Sequence, residues 1–152
     1  MQVVPYEKKY KKDFIELNKY WITHMFKIEK RDIEELNNIE KYIEQGGNIF
    51  FAKENDEILA CCMVAPMADG SFELMKFAAK GMRSGKGAGT ACLKACIEYA
   101  KEKNIPRIVI FTNTKCHEAL HLYRKMGFKE IEVDKKDIQF ERVDIVFELD
   151  LS

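Results

Sequence analysis

Ser84-Gly85-Lys86-Gly87-Ala88-Gly89-Thr90-Ala91 is the stretch that decides the fold. Its three alternate glycines let the backbone approach a ligand without clashes from Cβ atoms. The stretch leads directly into a helix, where free N–H groups and the helix dipole favour an anion. Arg83 and Lys86 add local positive charge. A simple turn from strand to helix needs only one glycine, so the pattern favours a phosphate or pyrophosphate cradle.

Two common phosphate motifs do not fit this stretch. In the nucleotide P-loop pattern, Gly81 precedes Gly85 by one residue too few, and Gly87 replaces the hydroxyl that binds magnesium. In the dinucleotide pattern, Thr90 occupies the place of the third glycine. The next predicted strand also ends at Thr112-Asn113 and not at an acid that could bind a ribose. ATPase and NAD-binding functions are therefore disfavoured.

Strand and helix patterns alternate on both sides of the glycine stretch. Short β-prone and apolar runs bounded by turn residues predict strands at 2–6, 48–53, 58–64, 72–79, 107–112, 128–133 and 142–149. Helical spacing predicts helices at 8–26, from a cap at Asp32 to a stop at Gly46-Gly47, from the glycine stretch to 103, and at 114–126. This order predicts one domain over residues 1–152, of the α/β class, with a mixed sheet flanked by helices.

Composition excludes several classes of protein. The chain has 152 residues, and 25 basic residues balance 25 acidic ones, so no overall basic excess indicates a nucleic-acid partner. No apolar run approaches the roughly 20 residues that cross a bilayer, and the N-terminus lacks the pattern of a signal peptide. The five cysteines are scattered and odd in number. We therefore expect a cytoplasmic protein with reduced thiols and without a membrane or nucleic-acid partner.

The glycine stretch and a second block resemble the Gcn5-related N-acetyltransferases. Residues 84–89 fit the acetyl-coenzyme A (acetyl-CoA) motif of that family, Gln/Arg-x-x-Gly-x-Gly/Ala, from its second position onward. Downstream, Asn113, Ala119 and Leu122-Tyr123-Arg124-Lys125-Met126-Gly127-Phe128 match the second family block in the correct order. The strong resemblance covers about Phe72 to Glu130. Ser84 stands where the motif opens with Gln or Arg, which puts the affinity for the coenzyme in question.

The resemblance implies the acyl-CoA N-acyltransferase fold, with a mixed, mostly antiparallel central sheet flanked by helices. It implies acetyl-CoA as cosubstrate, without a metal, and direct transfer of the acetyl group to a primary amine of a small molecule or peptide. The residues that it assigns to coenzyme binding are Phe77, Ala78, Ala79, Ser84, Gly85, Lys86, Gly87, Ala88, Gly89, Thr90, Asn113, Ala119 and Tyr123.

One catalytic role follows from the resemblance, and a second from the strand pattern. Tyr123 matches the general acid of the family. A phenol with a pKa near 10 is protonated at neutral pH, so it can protonate a leaving thiolate. Its helical face is apolar, so a role in the core is the alternative. Glu73 is the candidate base, since on a regular strand it would share a face with Met75 and Phe77, where desolvation would raise its pKa. A wetted position at the strand end is the alternative.

Other clusters have weaker functional interpretations. Cys92 and Cys96, with Cys116, His117 and His121 downstream, suggest a metal site, but the first two belong to an apolar helical stripe and are expected to be core residues. Trp21, Met25 and Phe26 either wall an acceptor pocket or belong to the core. Lys76 and Glu141 are weaker candidates for substrate contact.

Two other functions and one assembly stay open at this stage. A catalytically silent module that binds acyl-CoA would have the same fold, because fold does not fix activity. A protein that binds nucleotide phosphates is the third alternative. The C-terminal strands offer edges that could pair in a homodimer.

Overall fold

The computed structural model describes residues 1–80 and 87–152. The proposed coenzyme residues Ser84, Gly85 and Lys86 lie outside these ranges. The strands are β1 (Gln2–Pro5), β2 (Asn48–Glu54), β3 (Glu57–Pro66), β4 (Phe72–Ala79), β5 (Arg107–Thr112), β6 (Lys129–Ile131) and β7 (Ile145–Asp150). The helices are α1 (Lys11–Met25), α2 (Lys30–Asn37), α3 (Ile39–Glu44), α4 (Ala88–Glu102) and α5 (His117–Lys125).

The strands form one seven-stranded sheet in the order β1-β2-β3-β4-β5-β7-β6. Every neighbouring pair is antiparallel except β4 and β5, which are parallel and joined through α4. The prediction of a mixed, mostly antiparallel sheet flanked by helices is confirmed. None of the helices in the described ranges has the length and apolar character needed to cross a bilayer.

Each face of the sheet is covered by its own apolar core. Alternation along β2 sends Ile49 and Phe51 to the face under α1, α2 and α3, and sends Ala52 to the face under α4 and α5. The residues of α4 that pack on the second face include Cys92, Leu93 and Cys96, all fully buried. All five cysteines are free thiols. The apolar stripe predicted for α4 is therefore part of the core.

A β-bulge interrupts β4 opposite Cys62. Cys61 pairs with Ala78 and Met63 pairs with Met75, so two residues of β4, Lys76 and Phe77, oppose the single residue Cys62. Lys76 has a positive φ of 53°. The extra residue shifts the alternation of side chains, as bulges do.

The bulge corrects the prediction that Glu73, Met75 and Phe77 share one face. Met75 packs against the core under α1 to α3, whereas Phe77 packs against the opposite core. A regular strand would have placed both on one side. Phe77 instead reaches the same core as Tyr123, with ring centroids 6.1 Å apart.

The helix predicted from Asp32 to Gly46-Gly47 begins earlier in the structure and consists of two helices, α2 and α3. It begins at Lys30, and Asp32 lies inside the first turn, where its carboxylate accepts a hydrogen bond from the Glu29 N–H. The helix breaks at Asn38, whose side-chain amide donates to the Glu34 carbonyl at 2.6 Å. Such a local bond competes with the helical ladder, and α3 starts after it.

Smaller differences concern two other element boundaries. Helix α5 begins at His117, because residues 114–116 form a turn in which the Cys116 N–H donates to the Asn113 carbonyl. Strand β7 begins at Ile145, three residues later than predicted, and leaves Arg142 in the preceding segment.

Candidate active site

The parallel strands β4 and β5 separate after a short contact, and the separation opens the site. Their pairing covers only Phe72–Leu74 against Ile108–Ile110. Beyond Leu74, β4 pairs with β3 and β5 pairs with β7. The space between them is part of a cavity of about 1580 Å³, which also reaches the ends of α1, α4 and α5. The open edge of β4 leaves backbone groups available to an extended ligand.

The N-terminus of α4 borders this cavity with the part of the glycine stretch that the structure describes. Gly87 has a φ of 74° and precedes the first helical residue. A Cβ atom added at Gly87 would meet no atom within 4 Å, whereas one at Gly89 would lie 3.0 Å from Cζ of Phe77. Ala88 and Thr90 also line the cavity. Unpaired N–H groups at a helix start favour an anion, so these residues fit a pyrophosphate group.

The predicted coenzyme residues of β4 lie along the open edge. Phe77, Ala78 and Ala79 all line the cavity, and none of them pairs with β5. Ala78 is buried, and its position in the register, opposite Cys61, follows directly after the bulge. The bulge therefore determines which backbone groups face the gap at this point of the strand.

Tyr123 lies between the core and the cavity. Its side chain is 3% exposed, and its ring packs against Phe77, Phe128 and Phe147 at centroid distances of 5.9 to 6.1 Å. Burial raises the pKa of its hydroxyl well above the usual value. The hydroxyl makes no hydrogen bond to another described residue. The ring is part of the core and the residue also lines the cavity, so the role of Tyr123 as general acid stays a prediction.

Asn113 and Ala119 both line the cavity. The Asn113 amide donates to the Arg142 carbonyl at 2.6 Å, and its oxygen accepts from the Lys115 N–H at 2.8 Å. The side chain of Asn113 thus joins the end of β5 to the segment before β7. Its expected contact with the coenzyme stays a prediction.

Glu73 lies in the cavity wall on the α2 side of β4. It makes no hydrogen bond or salt bridge to another described residue. Burial and the nearby carboxylate of Glu35 raise the pKa of Glu73 to about 7, although Lys76 and Arg31 act in the opposite direction. The desolvation expected from the sequence is therefore present, and this carboxyl group can exchange a proton near neutral pH.

A buried ion cluster lies beside Glu73, and we name it the Asp32 cluster: Glu29, Arg31, Asp32, Glu35, Lys76 and Arg142. Asp32 is fully buried and accepts two hydrogen bonds from Arg142, at 2.6 and 2.7 Å. Lys76 donates to Asp32 at 2.9 Å. Burial alone would raise the pKa of Asp32, but the bonds from Arg142 and the charge of Lys76 outweigh it and lower the pKa to about 2.

Glu35 is the second buried carboxylate of the Asp32 cluster. Its Oε1 atom lies 2.7 Å from Nζ of Lys76, in an ion pair that lacks the alignment of a hydrogen bond. Its Oε2 atom lies 3.5 Å from Nε of Arg31. Glu35 lines the cavity, so it connects the cluster to the site.

Aromatic side chains complete this end of the cavity. Trp21 and Phe26 extend from the end of α1, with ring centroids 5.8 Å apart. Phe140 stacks on the Arg142 guanidinium at 4.4 Å from its ring centroid. Trp21, Met25 and Phe26 line the cavity, as the hypothesis that they form a wall of an acceptor pocket requires.

Sequence reasoning missed the Asp32 cluster. It assigned Asp32 to a cap and did not consider Glu35 or Arg142 as functional residues. A signal was present in the spacing, because residues 32, 35, 36 and 39 share one helical face and Leu36 and Ile39 are apolar. Two carboxylates on a buried face require cationic partners, but their identity is not a local property of the sequence.

The residues considered for a metal site differ in their exposure to solvent. Cys92, Cys96 and Cys116 are buried, whereas His117 and His121 are exposed on α5. In residues 1–80 and 87–152, no group of three His, Cys, Asp or Glu side chains is placed to hold a metal ion. Glu141 is exposed and lies 3.9 Å from Lys27, while Lys76 belongs to the Asp32 cluster.

Comparisons with known proteins agree with this architecture. A family model described as the acetyltransferase (GNAT) family matches residues 12–128. A GNAT-family acetyltransferase from Staphylococcus aureus Mu50 is 24% identical with a TM-score of 0.86, and the match covers 99% of each chain. An acetyltransferase from Streptococcus agalactiae 2603 is 22% identical with a TM-score of 0.84, covering 99% of this chain and 98% of that one.

A third similar structure contains a ligand. A protein from Salmonella typhimurium, solved with its cofactor acetyl-CoA, is 15% identical with a TM-score of 0.80. The match covers 99% of this chain and 94% of that one. No curated protein sequence matches the chain significantly.

Proposed function

Because the chain belongs to the acetyltransferase (GNAT) family, we propose that it transfers the acetyl group of acetyl-CoA to a primary amine by direct attack. One observation carries the proposal. The gap between β4 and β5 opens into a cavity that is lined by the glycine-rich start of α4, by Glu73 and by Tyr123. This arrangement supports a site in which an anion, a proton acceptor and a proton donor would share one space.

The residues proposed to hold the coenzyme come from three elements. Gly87, Ala88, Gly89 and Thr90 would direct backbone N–H groups at the pyrophosphate, together with Ser84, Gly85 and Lys86 of the sequence motif. The open edge of β4 at residues 77–79 would pair with the extended pantetheine arm, and Asn113 and Ala119 would border it. When bound, acetyl-CoA supplies an activated acyl group as a thioester.

Glu73 is proposed to remove the proton from the acceptor amine. An ammonium group cannot attack a carbonyl, so a base has to take its proton before or during the reaction. A carboxyl group with a pKa of about 7 is largely ionised slightly above neutral pH and still binds a proton strongly enough to be useful. The location of Glu73 in the cavity wall supports this assignment.

Tyr123 is proposed to protonate the leaving thiolate. Burial raises the pKa of its hydroxyl, so the hydroxyl is protonated throughout the physiological range. The packing against Phe77, Phe128 and Phe147 fixes the ring, which positions the hydroxyl without a hydrogen bond to another described residue. A fixed hydroxyl that has no partner in residues 1–80 and 87–152 is available to a ligand.

The test is release of free thiol from acetyl-CoA with a panel of amines, amino acids and short peptides, with the acetylated product identified by mass spectrometry. For an amine that is acetylated, kcat/KM should rise with pH through about 7, because the base has to lose its proton before it acts. Glu73→Gln should lower turnover by ~10²-fold and remove that rise. Glu98→Gln, at an exposed carboxylate paired with Lys101 on α4, is the matched control.

The same measurements distinguish the alternatives. Coenzyme A at a hundredfold excess over its Kd should stabilise the folded protein by roughly 2.7 kcal/mol, measured as a higher melting temperature. Stabilisation by coenzyme A without acetyl transfer to any member of the panel would favour a silent binding module. Stabilisation by ATP and not by coenzyme A would contradict the proposed site itself.

A further inference from the structure

The part of the cavity beyond the gap between β4 and β5 has apolar walls. Trp21, Met25 and Phe26 form one side, and Phe140 and Val143 come from the segment before β7. These walls line the same cavity as Glu73, the proposed base, so under the proposed function they belong to the acceptor half of the site. A planar apolar body fits aromatic walls of this kind.

The charges around this half are nearly balanced before any acceptor binds. The Asp32 cluster contains three acids, Glu29, Asp32 and Glu35, and three cations, Arg31, Lys76 and Arg142, in contacts of 2.6 to 3.5 Å. Glu73 is the carboxylate beside the cluster that has no salt bridge within the described residues. One ammonium group of an acceptor could therefore pair with Glu73 at this end of the cavity.

At the rim beside Met25 and Phe26, a second positive charge on the acceptor would meet a cation. Lys115 lies at the rim of the cavity, where its Nζ atom donates to the Met25 carbonyl at 2.7 Å and lies 5.2 Å from the centroid of the Phe26 ring. It makes no salt bridge to an acid among the described residues. Lys76 and Arg142 are engaged by Asp32, so they offer no negative charge to a second ammonium group.

From this arrangement we infer that the acceptor is a monoamine with an aromatic or similarly apolar body, held by its single ammonium group at Glu73 and by its body between Trp21, Phe26 and Phe140. The inference rests on the proposed function, because it places the amine at the proposed base. Polyamines are disfavoured by Lys115, because a second ammonium group that extends toward the rim would meet a like charge there.

The test compares three acceptors under identical conditions, with kcat/KM measured for each. Butylamine and putrescine have the same carbon chain and differ by one ammonium group, whereas 2-phenylethylamine adds a ring to a monoamine. We expect 2-phenylethylamine to be the best acceptor, and butylamine to exceed putrescine by ~10-fold or more. Lys115→Glu should raise the ratio of putrescine to butylamine turnover by ~10-fold, because it reverses the charge at the rim.

A preference of the wild-type enzyme for putrescine over butylamine would overturn the inference. A putrescine to butylamine ratio that is unchanged in Lys115→Glu would overturn the role assigned to the rim. Acetylation restricted to peptides or amino acids would contradict the monoamine class and leave the proposed function standing. Failure of every acceptor in the panel, with coenzyme A still bound, would contradict both.

Discussion

The two ends of strand β4 are stabilised in different ways. At the first end, Phe72–Leu74 pairs with β5, and Arg107 binds Asp69 at 2.8 Å and Glu148 at 2.9 Å near the surface. At the second end, β4 does not pair with β5, and Lys76 and Arg142 bind Asp32 in the interior. Half-exposed ion pairs accompany the strand pairing at the closed end, whereas buried ion pairs lie at the open end, where β4 is paired only with β3. The comparison teaches that removal of one charge should have very different costs at the two ends, because only the buried partners are left without water.

The largest expected effect separates the two aspartates. Burial opposes ionisation of Asp32, yet both Asp32 and Asp69 have a pKa lowered to about 2. Asp32→Asn should reduce the free energy of unfolding by about 3–5 kcal/mol, because Lys76 and Arg142 lose the charge that balances them in the interior. Asp69→Asn should cost less than about 1 kcal/mol, because water screens a half-exposed pair. Urea unfolding of both variants at neutral pH measures the difference.

Equal losses in Asp32→Asn and Asp69→Asn would remove the distinction between the two ends. The Asp69→Asn control also tests whether a lowered pKa by itself predicts the loss of stability. If stability followed the shift alone, the two variants would be equally destabilised, since both carboxylates have the same lowered pKa.

Two tyrosines provide the second comparison, one at each end of β4. Tyr123 packs against Phe77 at the open end, and Tyr99 stacks on Phe72 at the closed end, with its hydroxyl donating to the Gly46 carbonyl at 2.9 Å. Tyr123→Phe should lower acetyl transfer by ~10²-fold with little change in stability. Tyr99→Phe should lower stability by about 1 kcal/mol and leave turnover unchanged.

Steady-state kinetics and thermal unfolding of the two phenylalanine variants measure both properties. Wild-type turnover in Tyr123→Phe, with an acceptor for which chemistry limits the rate, would return this residue to a purely structural role. Proton delivery to the thiolate would then belong to water.

The smallest effect concerns two glycines with similar backbones. Gly87 at the open end and Gly70 near the closed end have φ values of 74° and 87°, and an added Cβ would meet no atom within 4 Å at either position. Alanine should therefore cost about 1–2 kcal/mol of stability at both positions, since both need the left-handed region. Only Gly87→Ala should also weaken binding of coenzyme A, by ~10-fold, because its methyl group would enter the proposed pyrophosphate space. Calorimetric titration with coenzyme A distinguishes them, and similar affinity in both variants would place the phosphate site elsewhere.

Much of the fold could be predicted because its signals are local. The apolar run from Ile58 to Val64 and the turn at Asn55-Asp56 predict the hairpin of β2 and β3, which the structure contains. The apolar stripe with Cys92 and Cys96 predicts α4 and its buried face. Periodicity alone predicts a mixed sheet flanked by helices. The family blocks between residues 72 and 130 identify the specific fold.

The errors have a common physical origin in features that depend on distant residues. The bulge at Lys76 is a register shift against β3, and nothing in the sequence of β4 marks it, so Phe77 was assigned to the wrong face. Asp32 was interpreted as a cap because its partner Arg142 is 110 residues away. Charge pairing at such a separation is fixed by the fold, and local patterns do not report it.

Because β4 pairs with β5 over only three residues, we expect the hydrogen-bonded sheet to behave as two units, although one apolar core continues across both. Strands β1 to β4 form one unit and strands β5, β6 and β7 form the other, and a seam from Phe72 to Leu74 joins them. Opening of the seam breaks few backbone hydrogen bonds, so amide protons beside it should exchange at a lower free energy than those inside either unit. The pantetheine arm proposed to lie in the gap would contact both units at once, in the position of an additional strand of the sheet. Its binding free energy therefore couples the two halves of the protein and contributes to the stability of each.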